Sequence, residues 1–262
     1  MSLPDSSIER PSARRRLIVL IIAGLSLVGG VKLFLHVSGL VEIPWWSRIR
    51  GRATVADRLA AVGPDARTRL APFFAAAHVS YPPARVVLVG LKREKKLQLY
   101  AAPADGALRF IRTYPVIAMG GRPGPKLREG DGQTPEGLYG IDSLNPNSQY
   151  HLSLRVNYPN ALDREHAEAE HRTNLGGDIM IHGSIGSAGC LAMGDRVSED
   201  LFVLAADTGR SHVAVILSPV DFRRADLPPE IVQPMLAHHP WVADLYGSIR
   251  RALAELPRDS NR

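Results

Sequence analysis

The chain contains a single cysteine, Cys190, which ends a glycine-rich stretch that begins at His182. A thiolate attacks carbonyl carbon well, but an unassisted thiol is mostly protonated near neutral pH and needs a base. The residues between His182 and Cys190 are all small except Ile185. Such a run suits a turn that folds the imidazole back toward the thiol. The spacing therefore predicts a cysteine nucleophile, Cys190, with His182 as its base.

The turn between the two residues is a candidate oxyanion hole. Gly183 and Gly189 tolerate positive φ and a close approach of substrate to the backbone. The N–H groups around Ser187, Ala188 and Gly189 could then hold the negative oxygen that forms when the thiolate attacks. The alternative is that Cys190 only fills the core, because cysteine is among the residues most often buried.

Apolar runs on both sides of this stretch predict the elements that position it. Residues 178–181 favour a short strand that delivers His182 to its end, and residues 198–206 favour a helix after the cysteine. Three earlier segments, 85–91, 97–101 and 107–116, are apolar or alternate between turn residues and predict further strands. We expect a mainly β fold with a few helices (α+β), either a β-sandwich or a half-barrel.

The motif IHGSIGSAGCLAMGD at 181–195 resembles the active-site motif of the L,D-transpeptidase catalytic domain (YkuD) family, in particular its YafK-like branch. Segments 124–137, 145–148 and 158–160 resemble other recurring blocks of that branch, in the same order. The resemblance extends from about residue 67 to residue 219. Several blocks in order are more specific than one motif.

The resemblance implies that Cys190 is the nucleophile, that His182 is its base, and that Ser187 and Gly189 frame the turn. It also implies an L,D-transpeptidase-like catalytic domain over residues 85–219. Such a domain acts on peptidoglycan stem peptides through a Cys190 thioester and needs no metal or organic cofactor.

Three positions depart from the wider family and leave the reaction open. Most members have His where Ala188 stands and Arg where Ala192 stands, and the YafK-like branch lacks both. That branch often has a second cysteine where Ile185 stands. Its members are thought to include amidases that release a lipoprotein from peptidoglycan, so hydrolysis as an amidase or L,D-carboxypeptidase is the alternative to transfer. A third hypothesis is that the domain is a peptidoglycan-binding module without enzymatic activity.

Three cations are candidates for binding the free carboxylates of a stem peptide: Lys126, Arg128 and Arg155. The polar segment 161–177, just before the predicted site strand, is either a lid over the substrate groove or a solvated amphipathic segment. It is rich in His and Glu, but it shows none of the common zinc-ligand spacings, so we expect no metal.

The N-terminal residues 1–41 combine a basic cluster, residues 14–16, with an apolar run from 17 to 31 that extends past Lys32 to Leu35. This pattern predicts an export signal, either an uncleaved membrane helix or a cleaved signal peptide. We expect an inner-membrane anchor with the catalytic domain facing the periplasm, or a periplasmic protein if the signal is cleaved.

The net charge of +6 is concentrated at this end of the chain. Residues 1–52 carry eight Lys and Arg against three Asp and Glu, which is +5 and leaves +1 for the rest. No basic cluster of the kind that binds nucleic acid is left outside the N-terminal segment. The composition therefore argues against a nucleic-acid partner.

Helical segments flank the predicted catalytic domain. Residues 42–84 should form a linker with two short helices, 54–62 and 65–77, each opened by a capping residue and separated by Gly63 and Pro64. Residues 220–262 should form a C-terminal helical extension that ends in an amphipathic helix at 241–256.

Overall fold

A nine-stranded sheet organises the residues that the computed structural model describes, 52–104 and 106–257. The strands are β1 (Arg85–Leu91), β2 (Lys96–Ala102), β3 (Arg109–Pro115), β4 (Ala118–Met119), β5 (Gly137–Ser148), β6 (His151–Val156), β7 (Met180–His182), β8 (Leu191–Ala192) and β9 (Val213–Ser218). Their order across the sheet is β3-β2-β1-β9-β5-β6-β7-β8-β4. Neighbours are antiparallel except for β1 with β9 and β7 with β8, which are parallel.

Five α-helices accompany the sheet in the same part of the chain. They are α1 (Val55–Ala76), α2 (Ala161–Ala169), α3 (Asp195–Thr208), α4 (Pro229–His238) and α5 (Val242–Ala254), with a 3₁₀ turn at Arg210–His212. No helix among the described residues has both the length and the apolar character needed to cross a membrane. The predicted export segment, residues 1–41, lies outside the described residues.

The long strand β5 joins the two halves of the sheet. Its first residues, 137–140, pair with β9, and its later residues, 141–148, pair with β6. The register shifts twice along the β6 pairing, and such irregularities bend and twist a strand. The sheet curls here into a half-barrel. Of the two α+β architectures expected from the sequence, the structure therefore has the half-barrel, built from one continuous sheet, and not the sandwich of two sheets.

Both faces of the first half of the sheet are covered by helices. On β1, Val86 and Leu88 point into a core shared with α1 and α3, while Val89 and Leu91 point into a second core shared with α5. This alternation explains why β1 is almost uniformly apolar in sequence, since strands buried on both faces have no solvent side.

The prediction of two short helices before the sheet is wrong, because one helix, α1, runs through Gly63 and Pro64. An internal proline removes a backbone hydrogen bond and costs about 3 kcal/mol. Burial of Leu70 and Phe74, both at most 1% exposed, offsets that cost. Thr54 caps the helix as predicted, in a capping box with Asp57.

Helix α1 is held on the rest of the domain by polar contacts with β5 and α3 as well as by its apolar face. The side chain of Asn147, in one of the blocks that carry the resemblance, exchanges two hydrogen bonds with the backbone of Ala53. Arg67 forms a two-bond ion pair with Asp207 of α3. From Ala53 onward the described chain is one compact unit, so the described parts of the predicted flanking segments, 53–84 and 220–257, pack on the central domain.

Truncation of Leu70 tests whether α1 is part of this unit. Leu70→Ala should lower the free energy of unfolding by about 2–5 kcal/mol, since a fully buried leucine is lost from the core. Urea unfolding followed by circular dichroism measures the loss. Leu162→Ala, at a side chain that is 43% exposed, is the control and should change stability by less than about 0.5 kcal/mol. A similarly small effect at Leu70 would mean that α1 is a detached spacer.

Candidate active site

Two parallel strands bring Cys190 and His182 together. Ile181 lies opposite Leu191 and His182 opposite Ala192, so continuing the register by one residue places Cys190 opposite Met180. Ile181 and Leu191 point into the core, and alternation therefore places Cys190 and His182 together on the other face. Diagonal neighbours in a sheet lie about 7–8 Å apart, a distance that an imidazole and a thiol can span.

The thiol of Cys190 is half-buried and lies against the backbone that leads into β7. Its Sγ accepts a hydrogen bond from the Met180 N–H at 3.4 Å, and the thiol donates to the Asp178 carbonyl at 3.4 Å. Burial raises the pKa of Cys190 above its usual value of 9.0, and the Met180 N–H opposes this shift only in part. The resting thiol is therefore protonated at neutral pH.

The imidazole of His182 is buried, with a relative exposure of 1%. Its Nδ1 bonds to the Gly183 carbonyl, which can only accept, so Nδ1 carries the proton and Nε2 is free to act as a base. Burial lowers the pKa of His182 below 6.5, and the Gly183 bond opposes that shift in part. Sequence reasoning did not identify this backbone carbonyl as the group that orients His182.

The two side chains are thus both neutral at rest, and no hydrogen bond joins them within the described residues. The tilted ring of Tyr150, 4.7 Å from the imidazole between centroids, covers one side of His182. Catalytic hydrogen bonds are often long in unliganded enzymes and shorten when substrate binds.

The turn that precedes Cys190 is held in place at both ends. Ser187 Oγ donates to the Cys190 carbonyl, and the Ser184 N–H donates to the Asp195 carboxylate at 2.7 Å. A Cβ on Gly183 would lie 2.5 Å from that carboxylate, so a side chain there would displace it. The N–H groups of Ala188 and Gly189 have no backbone acceptor among the described residues, which leaves them available to an oxyanion.

The loop between β4 and β5, residues 120–136, forms a wall against this turn. In the antiparallel pair of β4 and β8, Met119 lies opposite Leu191. Continuing this register by one residue places Gly120 opposite Cys190. A Cβ on Gly120 would lie 2.0 Å from the Gly132 carbonyl oxygen and 2.7 Å from the Gly189 nitrogen. Gly189 has φ +108°, and a Cβ there would lie 3.0 Å from the Gln133 carbonyl oxygen. Sequence reasoning missed Gly120 and Gln133, because their role depends on strand pairing.

The three predicted substrate-binding cations have different surroundings. Lys126 is buried and donates to Asp131 at 2.6 Å and to the Arg128 carbonyl, so it stabilises the loop. Arg155 pairs with Asp178 at 3.1 Å and with Asp142 at 3.4 Å. Arg128 is exposed on the loop and forms no side-chain ion pair among the described residues. The geometry therefore favours Arg128 as a cation available to a ligand.

Two cavities are each linked to the surroundings of Cys190 through one lining residue, although neither is lined by Cys190 or His182. The first, here called the Arg128 cavity, is lined by Pro125, Leu127, Arg128, Asp131 and Gln133 on one wall and by His171, Arg172, Thr173 and Asn174 on the other. The second, here called the Arg155 groove, is lined by residues that include Arg155, Asn157, Asn160 and Arg164. Gln133 of the first cavity contacts Gly189, and Arg155 of the second pairs with Asp178, whose carbonyl accepts from the thiol.

The segment 161–177 is helical over α2 and then forms the second wall of the Arg128 cavity. Asn160 and Asp163 form a capping box at the start of α2, which gives the block at 158–160 a structural role. In the described part of the chain, no group of three or more His, Cys, Asp or Glu side chains is arranged to hold a metal ion.

Residues 84–215 match the L,D-transpeptidase catalytic domain (YkuD) family, and the chain belongs to this family. Over 140 residues it is 32% identical to YafK of Escherichia coli strain K12, whose name assigns it provisionally to the L,D-transpeptidases. That match covers 52% of this chain and 53% of YafK, so the chain spans about half the length of the curated relatives it matches.

Two solved structures are similar to this chain at a lower sequence identity than YafK. The helical cell shape determining protein Pgp2 from Campylobacter jejuni is 27% identical, with a TM-score of 0.42 over 52% of this chain and 48% of that chain. The protein Bd1075 from Bdellovibrio bacteriovorus is 21% identical, with a TM-score of 0.39 over 54% of this chain and 50% of that chain.

The contact between Gly120 and Gly189 gives a test of the wall. Gly120→Ala should lower the melting temperature and speed the alkylation of Cys190 by iodoacetamide, because the added methyl group pushes the loop away from the turn. Gly186→Ala is the matched control, since a Cβ there meets nothing within 4 Å. Equal alkylation rates in the two variants would show that the loop does not shield the thiol.

Proposed function

We propose that the protein is a cysteine-dependent L,D-transpeptidase that acts on peptidoglycan stem peptides through a Cys190 thioester. The observation that carries the proposal is the pairing of the lone thiol with an imidazole whose Nδ1 is fixed by the Gly183 carbonyl, on the same face of two parallel strands. Membership of the L,D-transpeptidase catalytic domain family supports it.

The resting state of the pair determines how the reaction starts. Because thiol and imidazole are both neutral, Nε2 of His182 takes the thiol proton as the sulfur attacks the carbonyl carbon of the diamino acid at its L-centre. The N–H groups of Ala188 and Gly189 stabilise the oxyanion. When the tetrahedral intermediate collapses, the C–N bond breaks, the protonated His182 gives its proton to the leaving amine, and the thioester remains.

The fate of the thioester defines the activity. A second amine that attacks it gives a transpeptidase, whereas water gives an L,D-carboxypeptidase or an amidase that releases a peptidoglycan-linked lipoprotein. The presence of two cavities, one linked to Gly189 through Gln133 and the other to Asp178 through Arg155, supports transfer, because a donor and an acceptor both need a place near the thioester. Arg128 and Arg155 are then candidates for holding the carboxylates of the two peptides.

The cellular location is also a proposal. The basic cluster at 14–16 followed by the apolar run supports an exported domain, either anchored in the inner membrane or released into the periplasm. Peptidoglycan lies in that compartment, so this location agrees with the proposed substrate.

Replacement of Cys190 tests the thioester. Cys190→Ala should abolish turnover of tetrapeptide muropeptides, by roughly three orders of magnitude or more, because the covalent nucleophile is lost. His182→Gln should lose nearly as much, since the two side chains act as one unit. Mass analysis of the products, with and without an added D-amino acid, measures the reaction, and unchanged melting temperatures show that both variants are folded.

The products also separate the alternatives. Dimers joined through two diamino acids, or exchange at the fourth position, indicate transfer. Tripeptides alone indicate a carboxypeptidase, and release of lipoprotein from peptidoglycan indicates an amidase. If the wild-type protein binds peptidoglycan without any turnover, the binding-module alternative holds. More than about a tenth of wild-type activity in Cys190→Ala would contradict the thioester mechanism.

The pH dependence follows from the neutral resting pair. His182 must be unprotonated to act, and its pKa lies below 6.5, so kcat/KM should fall as the pH drops through a midpoint below 6.5. The pKa of Cys190 lies above 9.0, so the rate of alkylation by iodoacetamide should rise with a midpoint above pH 9.0. An alkylation midpoint near 6 would instead indicate a resting thiolate and imidazolium pair.

A further inference from the structure

The C-terminal extension, residues 220–257, lies outside the segment that matches the family. It nevertheless contacts Glu136 and Glu170, which hold the two walls of the Arg128 cavity. It includes α4, the connection at 239–241 and α5. Helix α5 is anchored by Val242, Ile249 and Leu253, which are completely buried in the second core. Polar groups on this extension are therefore held in fixed positions relative to the sheet.

The first contact is a buried hydroxyl. Tyr246 Oη donates to Glu136 Oε2 at 2.8 Å, while Glu136 Oε1 accepts from Lys92 Nζ at 3.0 Å and from the Gly124 N–H at 2.8 Å. Lys92 also donates to the Gln133 side chain at 3.1 Å. Because Glu136 and Lys92 are only 1% and 5% exposed, water cannot replace these bonds. The loop that carries Gln133 is thus fixed from α5.

The second contact is made by two neighbouring aromatic side chains. Glu170 Oε1 accepts from Trp241 Nε1 at 2.6 Å and from His239 Nδ1 at 2.7 Å, and its Oε2 accepts from Arg172 Nε at 2.7 Å. The ring of His166 stacks on Trp241 at 4.2 Å between centroids. Burial alone would raise the pKa of Glu170, but these donors outweigh it and lower the pKa to about 2.

Arg172 connects the two walls directly. Its Nε is held by Glu170, and its NH1 donates to the Leu127 carbonyl of the opposite wall at 3.0 Å. The Glu129 N–H also donates to the Asn174 carbonyl of the opposite wall at 3.0 Å, so Arg172 is one of two ties between the walls. The position of Arg172 depends on where Glu170 lies, and Glu170 is held by the connection at 239–241.

We propose that the C-terminal extension is a positioning element of the active site, which sets the width of the Arg128 cavity through Tyr246 on Glu136 and through His239 and Trp241 on Glu170. The proposal rests on the proposed function, because the cavity is assigned to substrate on that ground. The extension touches no reacting atom. It places the loop that abuts Gly189, and thereby the substrate, against Cys190.

Two conservative variants test the two contacts separately. Tyr246→Phe removes the hydroxyl that holds Glu136, and Glu170→Gln removes the charge that holds Arg172, His239 and Trp241. Each should lower kcat/KM for tetrapeptide muropeptides by roughly tenfold or more, since small misplacements of a bound substrate are costly. Each should also speed alkylation of Cys190 by iodoacetamide severalfold, as the wall beside the thiol loosens.

Matched controls make the same chemical changes elsewhere. Tyr81→Phe removes a hydroxyl that donates to Asp207 away from the cavity, and Glu168→Gln changes an exposed carboxylate on α2. Both should retain wild-type kinetics and alkylation rates. Measurements are made well below the melting temperature of each variant.

Three outcomes decide the proposal. Variants that match their controls in kcat/KM and in alkylation rate overturn it. Variants that only melt earlier, with unchanged kinetics, also overturn it, because the contacts then serve stability alone. If the wild-type protein turns over no muropeptide, the proposed function fails, and the alkylation comparison still supports or contradicts the positioning role by itself.

Discussion

The buried ion pair between Lys92 and Glu136 is the interaction on which the active-site side of the fold depends. Moving two charges out of water costs several kcal/mol per ion, and mutual attraction offsets this only where the remaining hydrogen bonds are also satisfied. Here Lys92 has four acceptors and Glu136 has three donors. The pair joins the end of β1, the loop 120–136, the start of β5 and helix α5, so these elements hold one arrangement.

That arrangement determines how closely the backbone can approach Cys190, the proposed nucleophile. Gly120, Gly132 and Gly189 meet at distances that leave no room for a Cβ at Gly120. Gly189, in the turn before Cys190, thus serves close packing against the loop 120–136 as well as conformational freedom. This matters for the proposed oxyanion hole, because such a site is effective only where its donors are fixed in advance.

Burial also sets the charge state of the proposed reacting pair, Cys190 and His182. The same packing that orients His182 on the Gly183 carbonyl lowers the pKa of the imidazole and raises that of the thiol. In the proposed mechanism, attack and proton transfer are then coupled, as for a serine nucleophile. Both groups are neutral because desolvation disfavours every charged form, and desolvation is a property of the folded chain.

The sequence by itself was sufficient to predict several local features that the structure contains, namely the strands expected at 85–91 and 107–116 and the cap at Thr54. It also singled out Cys190 and His182, which the fold places on one face of two parallel strands, while their chemical roles stay a prediction. These features depend on residue type and short spacing. Only the tertiary structure decided that α1 continues through Pro64, that Lys126 is bound within the loop, and that Tyr246 donates to Glu136. Tyr246 and Glu136 are 110 positions apart, and Lys92 and Glu136 are 44 apart. Such contacts arise from strand order and helix packing, which no local pattern of one sequence encodes.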